Sequence, residues 1–174
     1  YGEAIEHFFD PLLHFLVWLE KLFLNTPWPI IMVAIAVLVY FGSRSLKLTI
    51  GAVLAFLVIG YLDMWEDTMA TLAIISVATI VCISVGIPIG ILMARSNRAQ
   101  TLITPILDVM QTIPSFVYLI PVVMLLGIGK VPGLLAVCIY AIPPIVRLTN
   151  LGIRLVDKDV MEASEAFGAS YSQK

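Results

Sequence analysis

The sequence predicts an all-α, polytopic transmembrane helical bundle, and three observations carry that prediction. Of the 174 residues, 60% are hydrophobic and only 13% are charged, about half the charged share of an ordinary soluble domain. The apolar residues gather into five long blocks rather than scattering along the chain, which is the pattern of membrane spans. Lysine and arginine concentrate in alternate loops. The same composition excludes disorder, and no basic patch with interleaved aromatics suggests a nucleic-acid partner. Cys82 and Cys138 both lie inside apolar runs and read as small hydrophobes without a disulfide framework.

Residues 1–24 predict an amphipathic segment at the membrane surface. Ile5, Phe8, Phe9, Leu12, Phe15, Leu16, Leu19, Leu22 and Phe23 recur at helical spacing, opposite Glu3, His7, Asp10 and His14. Residues 25–62 hold two N-terminal spans. The first runs from Leu24 to Phe41, with Pro27 and Pro29 at its start, where a missing N–H costs little. The second, Leu46 to Leu62, is barely long enough to cross and ends in an acidic turn, Asp63 to Asp67. Residues 63–156 form the core of the bundle. Its Thr68–Ala94 block is longer than the hydrocarbon thickness and carries Gly86, Pro88 and Gly90, which predict a kink, before Arg95-Ser96-Asn97-Arg98 closes it. The Leu102–Leu126 block is interrupted by Pro105, Pro114 and Pro121, and the Leu134–Leu148 block carries Pro143-Pro144. Residues 157–174 are polar and predict a short amphipathic helix stopped at Gly168, with Met161 and Phe167 offering a small apolar surface.

Five crossings alternate the loops between two sides. One side receives Arg44, Lys47, Arg95, Arg98, Arg147, Arg154, Lys158 and Lys174, and the other only Lys21 and Lys130. The positive-inside rule then sets the N-terminus outside and residues 157–174 in the cytoplasm of a multi-pass membrane protein, with further spans expected beyond residue 174.

Prolines inside spans free backbone carbonyls, which the bilayer tolerates only beside protein or a wet cavity. Pro114-Ser115 and Pro143-Pro144 are therefore candidates for a translocation route. Asp108 and Gln111 share one helix face, and a carboxylate at that position requires a partner, for which Arg147 is the candidate. Phe116, Tyr118 and Tyr140 could offer aromatic faces to a cationic substrate or simply pack. Gly127-Ile128-Gly129-Lys130 is no phosphate loop, because the upstream glycine is missing and Val131 replaces Ser or Thr. No catalytic constellation or metal site is expected, and His7 and His14 suit a solvated helix face. An ion-coupled secondary transporter or channel is the alternative reading, and it would require carboxylates deep in the spans.

Glu162-Ala163-Ser164…Phe167-Gly168 resembles the Glu-Ala-Ala…Gly motif of permease subunits of binding-protein-dependent ABC importers, with Ser164 in place of the second alanine. The stretch Pro105 to Gly129, holding Asp108, Gln111, Pro114, Tyr118 and Pro121, is similar to glycine betaine/proline betaine permeases. So is Ala141 to Ile153, holding Pro143, Pro144, Arg147 and Asn150. The resemblance covers roughly residues 60 to 170 and implies the ABC importer permease fold. It further implies a homodimer in the lipid of the cell inner membrane, two cytoplasmic ABC ATPase subunits and an extracytoplasmic substrate-binding protein. ATP and Mg would be held by the ATPase and no cofactor by this chain. Glu162, Ala163, Ser164, Phe167 and Gly168 would seat in the ATPase, and osmoprotectants such as glycine betaine would be the substrates.

Overall fold

The computed structural model describes residues 2–170, with side chains from Asp10 onward except those of Ser115, Lys158 and Glu165. The faces assigned to Glu3, Ile5, His7, Phe8 and Phe9, and the positions of Lys158 and Lys174 side chains, lie outside what is described. Eight helices make up the described chain: α1 (Gly2–Asn25), α2 (Trp28–Ser43), α3 (Leu46–Tyr61), α4 (Trp65–Arg95), α5 (Asn97–Thr112), α6 (Ser115–Leu126), α7 (Lys130–Arg154) and α8 (Lys158–Ala166). They form two compact units, Tyr1–Ala78 with Val122–Leu134, and Thr79–Pro121 with Leu135–Lys174.

In the first unit α1 ends at the Thr26-Pro27 break, where the chain bends by 106° into α2. Pro27 caps α2 in extended geometry and Pro29 falls in the first turn, where neither ring displaces a helical hydrogen bond. At the other end Arg44 adopts a left-handed conformation (φ 52°), and its N–H closes onto the Tyr40 carbonyl at 2.8 Å. That tight stop folds α3 back against α2. α3 buries no residue, and large apolar side chains such as Leu38, Leu46 and Tyr61 stand exposed, as lipid-facing helices require. Across the unit, Lys130 at the start of α7 pairs with Glu20 of α1.

The second unit is built around α4, α5 and α7. Met93, Leu107 and Val146 form its buried centre, with Ile89, Ile103, Met110 and Ile142 packed around them. α4 is one continuous helix through Pro88. The glycines that flank this proline serve contact. A Cβ on Gly86 would lie 2.8 Å from Ile145 Cγ2, and one on Gly90 would lie 2.5 Å from Thr149 Cβ and 2.9 Å from the Val146 carbonyl. Hydrogen alone at these two positions lets α7 approach α4 at backbone distance. Cys82 and Cys138 are both buried and free, with Cys82 Sγ 3.8 Å from the Cys138 carbonyl.

Several boundaries differ from the sequence expectation. The acidic turn shrinks, because Trp65, Glu66 and Asp67 already form the first turn of α4, where acidic side chains favour the positive end of the helix dipole. Only Ser96 separates α4 from α5, so Asn97 and Arg98 belong to a helix rather than a loop. The Ser96 hydroxyl caps α5 by accepting from the Ala99 N–H. The block from Leu102 divides into α5 and α6, which meet at 89°. Pro143 and Pro144 sit inside the uninterrupted helix α7. By length and composition two described helices, α4 and α7, can cross a membrane, or up to four if each bent pair is one span. The sixteen-residue α3, expected to be barely long enough to cross, falls short of that criterion, so the five crossings expected from the blocks are not reproduced as five long helices.

The Gly90 contact yields a direct test. Gly90→Ala should destabilise the detergent-solubilised protein by about 1–3 kcal/mol, the usual range for overpacking against atoms that cannot yield. Gly152→Ala on the same helix pair, where nothing lies within 4 Å of the added carbon, should be neutral or stabilising by up to about 1 kcal/mol. Thermal unfolding followed by size-exclusion chromatography separates the two.

Candidate functional site

The residues singled out in the sequence fall into two groups within the second unit. The first surrounds the α5–α6 break. Pro114 offers no N–H, and α5 ends before it, with Ile113 extended (ψ 127°). The Val109 carbonyl absorbs much of the disruption. It accepts from the Ile113 N–H at 3.2 Å, the Thr112 hydroxyl at 3.2 Å and the Tyr118 hydroxyl at 3.1 Å. Tyr118 thus ties α6 back onto α5 and holds the bend. Gln111 and Phe116 flank the break on exposed positions; the Ser115 side chain lies outside the described atoms.

Asp108 lies one turn before the break and receives a hydrogen bond from Arg147 Nη2, joining α5 to α7. The pairing proposed by depth in the sequence is therefore present. The pair is open to its surroundings on one side. The Arg147 and Asp108 side chains are 39% and 55% exposed, while Arg147 Nε is buried with no hydrogen-bond partner among the described residues. Charged groups do not face hydrocarbon at that exposure without a large cost, so this side of α5 and α7 suits water or protein. Tyr140 and Pro144 are exposed on α7, and Pro143 is buried against the unit.

The second group is α8. Asp157 caps its start, its carboxylate accepting from the Asp159 N–H at 3.0 Å. Gly168 stops its end with φ 76°, and the Ala169 N–H reaches back to the Ser164 carbonyl at 3.0 Å. This six-to-one bond is the Schellman closure that a left-handed glycine permits. Met161 and Ser164 turn inward, half-buried, and the Ser164 hydroxyl bonds the Met161 carbonyl at 2.8 Å. Glu162, Ala163, Val160 and Phe167 face outward, with Phe167 91% exposed. The apolar surface expected from Met161 and Phe167 is therefore carried by Val160 and Phe167 instead.

Two residues that no motif marks complete this end of the unit. Asn150 is the buried polar side chain among the described residues, and Arg154 lies one turn further along α7. Arg154 Nε donates to Asn150 Oδ1 at 3.0 Å, and its Nη2 donates to the Met93 carbonyl and to Asn97 Oδ1, both at 2.9 Å. An asparagine inside an apolar stretch with an arginine four residues on was the only available signal. No group of three or more metal-ligating side chains occurs among the described residues.

Residues 86–174, which include the α4–α7 contact, the α5–α6 break and α8, match the family described as binding-protein-dependent transport system inner membrane component. The chain belongs to that family. It is 43% identical over 163 residues to the glycine betaine/proline betaine transport system permease protein ProW of Escherichia coli (strain K12), covering 94% of this chain and 46% of that protein. It is 50% identical over 124 residues to ProW of Salmonella typhimurium, 71% of this chain and 35% of that protein. It is 42% identical over 150 residues to the glycine betaine/carnitine transport permease protein GbuB of Listeria monocytogenes, 85% of this chain and 53% of that protein. The chain thus spans about half or less of the length of these relatives.

The Asp108–Arg147 bridge makes a prediction that its exposure sharpens. Asp108→Ala and Arg147→Ala should each reduce the yield of folded protein, since each leaves an unpaired charge between α5 and α7. The exchange of the two residues (Asp108→Arg with Arg147→Asp) should recover much of the loss. A double-mutant cycle on detergent stability should return a coupling of about 1 kcal/mol or less, as for other solvent-accessible pairs.

Proposed function

We propose that the chain is the membrane-spanning permease subunit of an ATP-driven, binding-protein-dependent importer of small osmoprotectants of the glycine betaine type. The observation that carries this reading is α8. A nine-residue helix, capped at both ends, presents Glu162, Val160 and Phe167 outward and is joined to α7 by only three residues. Such a short, rigid and outward-facing element fits a groove on another protein better than it fits a connecting loop. Family membership and the relatives' substrates support the same conclusion.

In this reading the chain acts as a homodimer in the cytoplasmic membrane, with α8 on the cytoplasmic side and the N-terminus outside. The lysine and arginine distribution supports that orientation, as does the Lys130–Glu20 pair, which gathers two elements assigned to the outer side. Two ABC ATPase subunits would grip Glu162, Ala163, Ser164, Phe167 and Gly168, and would hold ATP and Mg themselves. A separate extracytoplasmic protein would deliver the substrate. Nucleotide-driven closure would press the two α8 helices together and turn α7. The Asp108–Arg147 bridge would then pull α5 and shift the bend at Ile113-Pro114. Gln111, Ser115, Phe116, Tyr118 and Tyr140 are the candidates for lining the route, with Pro114, Pro143 and Pro144 leaving carbonyls free along it. Aromatic faces suit a quaternary ammonium group without trapping it as a fixed anion would. An ion-coupled carrier is the weaker reading, since Asp108 already has Arg147 as its counter-charge.

The test uses the full-length protein with its own ATPase and binding protein. Glu162→Arg and Gly168→Trp should each lower recovery of the ATPase in a pull-down by about tenfold or more, equivalent to roughly 1.4 kcal/mol of affinity. Both should abolish ATP-dependent uptake of radiolabelled glycine betaine into proteoliposomes. Unchanged recovery and uptake in both variants would refute the coupling role of α8.

A further inference from the structure

The Asp108–Arg147 bridge links α7 to the middle of α5, but it reaches neither α4 nor the start of α5, to which α8 is not joined in sequence. The three bonds of Arg154 supply a route. Arg154 is the last residue of α7, and α8 starts four positions later. The intervening turn is itself pinned, since the Leu155 N–H bonds the Leu151 carbonyl at 2.9 Å and the Asp157 carboxylate caps α8. Little slack therefore separates Arg154 from α8.

From that position one guanidinium reaches three helices. It holds Asn150 on α7, the Met93 carbonyl in the last turn of α4, and Asn97 in the first turn of α5. The Met93 carbonyl belongs to the final turn of its helix, where carbonyls lack intrahelical partners and a cation is favoured. Met93 also contributes its side chain to the centre of the unit, where it is 1% exposed. The arginine therefore grips a rigid point. Asn150 is 8% exposed, so its amide oxygen has little access to water, and the bond from Arg154 Nε at 3.0 Å fixes the plane of the guanidinium. Only a planar fork can make these contacts together, because the Nε and Nη2 donors point to separate acceptors.

We infer that Arg154 is a positioning residue that locks the α4–α5 elbow to the end of α7, so that displacement of α8 moves all three helices as one body. The proposal rests on the permease reading above and adds the element through which force leaves the coupling helix. Without the lock, α4 and the start of α5 would lag behind α7 and α8, and the Asp108–Arg147 bridge alone would have to move the bend at Pro114.

The experiment measures uptake and ATP hydrolysis together, in proteoliposomes holding the full-length permease, its ATPase and the binding protein. Arg154→Lys retains the charge but cannot reach all three acceptors. It should retain the ATPase in a pull-down and hydrolyse ATP at near the parental rate. Glycine betaine imported per ATP consumed should fall by about fivefold or more, the lower range of a typical coupling free energy. Asn97→Ala, which removes one of the three bonds and leaves the cap on α4, should give a smaller loss of the same ratio. A parallel fall in uptake and hydrolysis would show a purely structural role and overturn the proposal, as would an unchanged ratio. If Arg154→Lys does not assemble, the Asn97→Ala ratio decides in the same way. Uptake by the parental complex that needs no ATP would instead overturn the permease reading, and this proposal with it.

Discussion

The α4–α7 crossing is the contact on which the second unit depends. With hydrogen alone at Gly86 and Gly90, side chains and backbone of α7 enter the space that a methyl group would fill. In lipid no hydrophobic force drives helices together, so dispersion across such a close crossing is the main attraction available. The consequences spread outward. Close approach brings Val146 onto Met93, and Leu107 of α5 completes the buried centre. It also brings the end of α7 within reach of the last turn of α4, where Arg154 makes its bonds.

Polar groups are then placed where the packing leaves room for them. Each has a defined partner or a wet surface: Arg147 with Asp108, Arg154 with Asn150 and Asn97, Lys130 with Glu20. The backbone obeys the same rule. At the Ile113-Pro114 break the freed geometry is tied by the Tyr118 hydroxyl, and in α7 the two prolines are absorbed with one of them buried. A broken helix and a proline-containing continuous helix thus sit side by side. The first places an 89° bend between α5 and α6. The second runs unbroken from Lys130 to Arg154.

The features that distinguish the second unit are geometric: a helix capped at both ends, a short pinned turn, an arginine fork and a bend at Ile113-Pro114. Relatives named for glycine betaine, proline betaine and carnitine are 42–43% identical to the chain over the matched lengths.

Composition and pattern alone determined the membrane class, the all-helical fold, the apolar segments and the glycine stop of α8. These follow from local rules: long apolar runs cannot remain in water, and glycine accepts a positive φ. Arg147 was legible only as a candidate partner for Asp108, and the structure supplies the pair. Only the tertiary structure decided that Pro114 breaks a helix while Pro143-Pro144 does not, since the outcome depends on whether neighbouring packing sustains the rod. It also decided that Gly86 and Gly90 serve a crossing, that Val160 rather than Met161 faces outward on α8, and that Arg154 reaches α4 and α5. Those contacts join residues about 55 to 60 positions apart, and periodicity along one strand of sequence carries no information about which helix will lie beside it.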